Sequence, residues 1–399
     1  MVCIKKRYFN WNRLFLLPLG LWPDKETKFT RFQAKLLFSL LMSSAAFQLS
    51  RLFSVECHFD SAVTILSSSS FYIALTIIFM CFWINMKTMR YLFEQLQHIY
   101  DGLKDKAEIA IYDKYGYIGK CLTIRLMIPM VCGMFSNFII VYSPYILDVV
   151  MPKNESYAIH VMEMVTKYFI VSEKYYFLVL VHLNVACTAG LIVTVGTGTM
   201  MLSYFKHACG MFEIASYRIE QAMAIELLHD LNTKNEIVIY KKIICAVDIH
   251  RKAMDFAKCF ITNTEGTLFF LILTGVLCLS FNLFRIFQIK SLVDEVEEVL
   301  LHFFVVILVL VGSFLANYVG QEMMDYTNHV YETTYNVSWY LAPLDIQKMI
   351  LFLLQRGSRT FTLNVGGLFT ASFECFATVN FLRQTWKYFH FFKTFSQLH

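Results

Sequence analysis

The stretch "TLNVGGLFTASFECFATV", Thr362 to Val379, is apolar enough to enter a bilayer, yet it carries Asn364, Thr370, Glu374 and Thr378. Thr370, Glu374 and Thr378 recur every fourth residue, so on a helix they form one stripe. A carboxylate exposed to hydrocarbon costs on the order of 2.5–3.5 kcal/mol on insertion scales. Lining a water-filled conduit removes much of that cost, and an acidic group there favours cations. Protonation, or a hydrogen bond within one helical bundle, is the other way to carry it.

A second set of residues suggests binding. Phe135, Phe138 and Tyr142 share one face at helical spacing. With Phe71, Tyr72, Tyr176, His182 and Phe303 they describe an aromatic, mostly apolar wall with a few polar groups, the profile of a small-molecule site. An interfacial aromatic belt is the competing explanation for the tyrosines, and a packing role for the histidine.

Other chemistry is not signalled. No H-E-x-x-H, P-loop or C-x-x-C pattern occurs, so neither a metal, a nucleotide nor another cofactor is expected, and no catalytic residues are assigned. Of the eleven cysteines only Cys57 falls in an expected outside loop, so the cysteines read as small buried hydrophobes. "GTGT", Gly196 to Thr199, lies within an apolar run, where small residues allow close helix packing. An enzyme would need convergent polar residues at one depth, and none of the spans supplies them.

The elements that must position these residues follow from composition. Hydrophobic residues make up 57% of the 399 residues and charged ones 16%, and mean hydropathy is +0.51. This is an all-α polytopic membrane protein, and the net charge of +5 serves topology and not nucleic acid. Runs of about 20 apolar residues, the length of a crossing helix, appear near 34–54, 62–85, 122–147, 175–204, 266–288, 299–320 and 361–382. The runs lack the alternation of a membrane barrel. Lys and Arg crowd the N-terminal segment and every second connection, which predicts a cytosolic N-terminus and, after seven spans, an extracellular C-terminus. The sequon at Asn154 then lies outside, where it can be glycosylated, and that at Asn336 inside.

The organisation expected is a cytosolic or interfacial segment at 1–33, with Trp11 and Trp22 at headgroup depth and Lys5 to Arg7 facing anionic lipid. A six-span bundle at 34–320 follows, its later spans extended as helices below the membrane, then a cytosolic region at 321–360, the seventh span at 361–382 and a tail at 383–399. In the cytosolic region Ile346, Met349, Ile350 and Leu353 recur at i, i+3, i+4 and i+7 between Pro343 and Gly357, a short amphipathic helix expected to pack on copies of itself or a partner.

Ser338-Trp339-Tyr340, "IQKMILFLLQRG" and "FTLNVGGLFTASFECFAT" resemble the C-terminal signature of the insect odorant receptor family, particularly its tuning subunits. "LLPLGLWP" and "DIHRKAMDF" resemble two further family segments. The resemblance implies a ligand-gated, non-selective cation channel in the plasma membrane of olfactory neuron dendrites. In it, a tuning subunit joins a co-receptor, as a suspected heterotetramer, and binds a small volatile apolar ligand in its outer half. It also implies that Trp339, Tyr340, Ile346, Met349, Ile350, Leu353 and Arg356 belong to a subunit anchor and that the seventh span lines the pore. A gustatory-type channel, a G-protein-coupled receptor and a transporter are the alternatives. The chain departs from the family after Val379, where Arg383 and Lys387 stand at the expected outer mouth.

Overall fold

Apolar runs of spanning length become long helices in the computed structural model, which describes residues 3–23, 27–50, 52, 59–150, 175–224, 233–289, 296–359, 361–365 and 369–377. Two short helices, α1 (Ile4–Tyr8) and α2 (Asn10–Leu16), precede α3 (Lys28–Ser50), α4 (Phe59–Ile84) and α5 (Met86–Gly102). Four long helices follow: α6 (Lys106–Val150), α7 (Tyr176–Ala222), α8 (Thr233–Gln288) and α9 (Val296–Asn336). A 3-10 turn at Trp339–Leu341 leads into α10 (Leu344–Gly357). Among the described residues, five segments are long and apolar enough to cross a membrane: Ala62–Ile84, Lys106–Ile139, Phe177–Ala222, Asn235–Gln288 and Glu298–Asn336.

At 1.5 Å per residue α6 to α9 are roughly 60–85 Å long, about twice a bilayer core. The later spans are thus longer than a single crossing needs, and α6 shares this length. The bundle therefore has an upper end, where α6 and α8 finish and α7 and α9 begin, and a lower end holding α1, α2, α5 and α10. α7 is the central element, in contact with α2, α3, α4, α6, α8 and α9. From Tyr204 to Ala215 its side chains are almost all buried, which only a helix surrounded on every side achieves.

α5 is too polar to span and was not expected from the apolar runs. Its Met86, Met89, Leu92, Phe93, Leu96 and Ile99 nonetheless recur on one face and are all buried. Each such side chain contributes about 1.5–3 kcal/mol when fully buried.

The N-terminal segment packs deeper than an interfacial position implies. Phe9, Leu16 and Trp22 are buried, Trp22 against Phe93 at 5.4 Å between ring centroids, while Trp11 stays exposed. Lys5 lies over the Phe93 ring at 5.2 Å and Arg7 pairs with Asp113 at 2.9 Å. Burial and the hydrogen bond to the Asp113 carboxylate push the Tyr8 hydroxyl above its ordinary range, so it stays a donor. Within "GTGT" the close packing is at Gly196, whose face Leu16 meets, while Gly198 faces open space; Asn12 donates to Thr199 Oγ1 at 2.8 Å.

The largest departure lies at the seventh span. Residues 361–377 are not one continuous helix: β1 (Asn364–Val365) pairs antiparallel with β2 (Phe369–Thr370), Asn364 opposite Thr370, and a short helix α11 (Phe373–Ala377) follows. Gly366 and Gly367 separate the paired segments, and glycine is among the poorest helix formers. Ser372 restarts the helix as its cap, its Oγ accepting from the Cys375 backbone N–H at 3.0 Å.

Candidate functional site

At the upper end the structure separates the expected aromatic wall into two groups. On α6 and α7, the rings of Phe138 and Tyr142 lie 4.5 Å apart and Tyr142 lies 6.5 Å from Phe177. On α3, α4 and α7, Tyr72 is buried and donates to the Leu183 carbonyl at 3.1 Å, with Phe71 beside it at 5.7 Å. His182 Nε2 lies 3.2 Å from Ser43 Oγ and 3.1 Å from Ser44 Oγ, so it ties α7 to α3. Phe135 and Phe303 are exposed at 66% and 53%, and are not brought into either group. Tyr176 opens α7, its side chain lying outside the described residues, as do Asn154 and Thr378.

Between α4, α8 and α9 the upper end also assembles polar residues that sequence reading expected to be scattered. Asn282 donates to the Ser67 carbonyl at 3.2 Å and faces His302 Nδ1 at 2.8 Å. Arg285 pairs with Glu298, which lies 3.7 Å from His302 Nε2. An Arg near the end of one apolar run and a group of acidic residues just before the next was the available signal, because such charges are seldom buried without each other.

Lower in the bundle, α7 and α9 are joined by a buried ion pair that sequence reading missed. Lys206 Nζ donates to Glu322 at 2.5 Å and to Tyr318 Oη at 2.9 Å, while Tyr318 Oη donates to Glu322. A lysine two residues beyond the fourth apolar run and a glutamate two beyond the sixth were its only trace. On the same stretch of α9, Asn317 Oδ1 accepts from the Ser372 backbone N–H at 3.1 Å, and Gln321 Oε1 from that of Phe373 at 3.3 Å. The Phe373 ring lies 5.9 Å from Phe314 and 6.2 Å from Tyr318. The start of α11 is thus held by backbone hydrogen bonds and rings on α9.

The stripe of Thr370, Glu374 and Thr378 is consequently not one helical face among the described residues. Thr370 lies in β2 and donates to Asn364 Oδ1 at 2.8 Å, whereas Glu374 is exposed in the first turn of α11, where a carboxylate suits the helix dipole.

The amphipathic helix is present as α10. Ile346, Ile350 and Leu353 are buried within the same chain: Ile346 and Ile350 in a cluster with Met223, Ile239 and Ile243, Met349 and Trp339 packed alongside, and Leu353 in the main core that also includes Phe361 and Leu363. These residues therefore hold α10 on its own bundle. Apolar side chains left outward include Tyr340 of the preceding turn and Leu344, Leu351 and Phe352 of α10, exposed at 63%, 66%, 50% and 73%. Arg356 is exposed as well.

The fold is similar to that of the insect olfactory receptor OR5 from Machilis hrabei in complex with eugenol, with a TM-score of 0.74 at 13% identity, covering 97% of this chain and 98% of that one. A second structure of the same receptor gives a TM-score of 0.70 at 13% identity over 99% and 98% of the two chains. No curated protein matches. The 7tm Odorant receptor family model matches residues 58–382, most of the chain, and the protein belongs to that family.

Proposed function

We propose that this odorant receptor is a tuning subunit of a ligand-gated cation channel, its pore shared with a co-receptor in the plasma membrane. The observation that carries this reading is the continuity from the upper aromatic group to the C-terminal segment. α7 bears Phe177 at one end and Lys206 further down, Lys206 grips Tyr318 and Glu322 on α9, and α9 holds Ser372 and Phe373. A ligand that separates or draws together α6 and α7 around Tyr142 has a packed route to α11. Gating then needs only that the ligand bind the open arrangement better than the closed one.

The complex of the Machilis hrabei receptor with eugenol supports a small-molecule ligand for this chain. The charge pattern supports a cytosolic N-terminus, which puts the Tyr142 group on the outer side and α10 in the cytosol. Glu374 is the pore-facing carboxylate in this reading, and Asn154 the glycosylated residue. Subunits meet through the outward side of α10, at Tyr340, Leu344, Leu351 and Phe352. The apolar spans and aromatic wall provide binding and not catalysis.

The test is to record whole-cell currents while applying a panel of volatiles to cells expressing this chain with a co-receptor, the co-receptor alone, or this chain alone. Odorant-evoked cation current only in the first case is the expected result. Current that requires a G protein, or none with any partner, would remove the channel reading.

A further inference from the structure

The lower half of α8 passes from charged to charge-free sequence at Glu265, since residues 266–284 carry no charge. At this boundary, where a charge-free span would meet lipid head groups, the structure holds a cleft of about 350 Å³ between α8 and the last turn of α10 with the chain that follows it. Lys258, Thr262 and Glu265 form one wall, spaced at i, i+4 and i+7 on α8, and Arg356, Thr362 and Asn364 form the other. Its volume is within the roughly 300–1,000 Å³ of small-ligand sites.

The lining is rich in donors. Lys258 and Arg356 enter no ion pair among the described residues, whereas Lys252 on the same helix is bound to Asp248 at 2.7 Å. Asn364 Oδ1 is occupied by the Thr370 hydroxyl, which leaves its amide nitrogen to donate. An ammonium, a guanidinium, an amide and two hydroxyls against one carboxylate suit an anion with several oxygens and more than one negative charge. Ile261 and Phe361 add apolar surface, as a glycerol or acyl segment would need. Basic pockets between helices on the cytosolic side take anionic head groups for these reasons.

We propose that this cleft binds the phosphate group of an anionic ligand, supplied by a lipid head group at the membrane edge or by a soluble phosphate. Bound there, the phosphate bridges α8 to residues 362–364, the chain leading into the segment that docks on α9. The site needs only the purified chain and is independent of odorant response.

The test titrates full-length protein in detergent with short-chain phosphatidylinositol bisphosphate, short-chain phosphatidylcholine, inositol trisphosphate and inorganic phosphate, reading binding by native mass spectrometry. The bisphosphate lipid is expected to bind and phosphatidylcholine not to. Lys258→Gln and Arg356→Gln should each weaken it about tenfold, the loss of one charged hydrogen bond, while Lys252→Gln leaves it unchanged. Inositol trisphosphate binding as tightly as the lipid assigns the site to a soluble phosphate, and binding of the lipid alone assigns it to the leaflet. A wild-type photocrosslink from a head-group-labelled lipid, mapped to peptides containing 258–265 or 356–364, serves if the variants do not fold. Equal affinity in wild type and both glutamine variants, or crosslinks confined to other peptides, would overturn the proposal.

Discussion

The carbonyl oxygen of Ala371 lies against Gly320 of α9, in the space that a β-carbon on Gly320 would fill. Glycine is therefore required there by close backbone approach and not by an unusual backbone angle. The neighbouring Asn317 and Gln321 accept the next two backbone N–H groups, so one and a half turns of α9 form a seat for residues 371–373.

Gly320→Ala puts a methyl group where a backbone oxygen sits, and backbone cannot swing aside as a side chain would. Overpacking of this kind costs about 1–3 kcal/mol, and lifting residues 371–373 from α9 is the way to relieve it. Odorant-evoked current should fall at least severalfold while surface biotinylation stays at the wild-type level. Wild-type current amplitude and dose response in Gly320→Ala would remove the seat from gating.

Lys206→Met leaves the Glu322 carboxylate facing an apolar side chain. Breaking a buried pair from one side costs about 3–5 kcal/mol, with the lower figure expected because Glu322 remains 21% exposed. Thermal unfolding of purified protein should show a large fall for Lys206→Met and recovery of most of it in Lys206→Met/Glu322→Leu. Additive losses in the double variant would show that the two side chains act independently.

Tyr142→Ala removes the ring that Phe138 and Phe177 both face. Aromatic pairs contribute about 0.5–1.5 kcal/mol beyond buried area, so the odorant concentration for half response should rise about fivefold, with less effect from Phe135→Ala. A dose response unchanged in Tyr142→Ala and Phe138→Ala would take the ligand elsewhere.

Phe352→Ser alters the outward side of α10 without touching the side that holds it to the bundle. Co-purification with a co-receptor should drop severalfold at unchanged monomer unfolding temperature, whereas Ile350→Ser should lower the unfolding temperature itself. The reverse pattern would return subunit contact to the Ile346, Ile350 and Leu353 face.

Glu374→Gln keeps the shape of the side chain and removes its charge. Reversal potentials in mixed sodium, potassium and calcium solutions should shift toward lower calcium permeability, because an acidic group in a conduit favours cations of higher charge. Permeability ratios equal to wild type would place Glu374 outside the conduit.

The helical class and the placement of six of the long helices were legible because hydrocarbon demands about 20 apolar residues with every backbone group paired internally. The amphipathic α10 was legible from its period for the same reason. Its direction was not: Ile346 and Ile350 form a buried stripe whether the neighbour is this chain or another, and only the position of Met223, Ile239 and Ile243 decides between them. Likewise, a four-residue spacing predicted one helix through Thr370 and Glu374, yet the intervening Ser372 starts a helix and Thr370 pairs with Asn364.

By itself the sequence determined what local physics controls: which apolar runs form the long helices α3, α4 and α6 to α9, and where charges flank them. Tertiary structure alone decided which of those charges meet. Lys206 and Glu322 are 116 residues apart in the chain, and no periodicity links them. They become partners because α7 and α9 pack at that depth, where each charge makes the other tolerable.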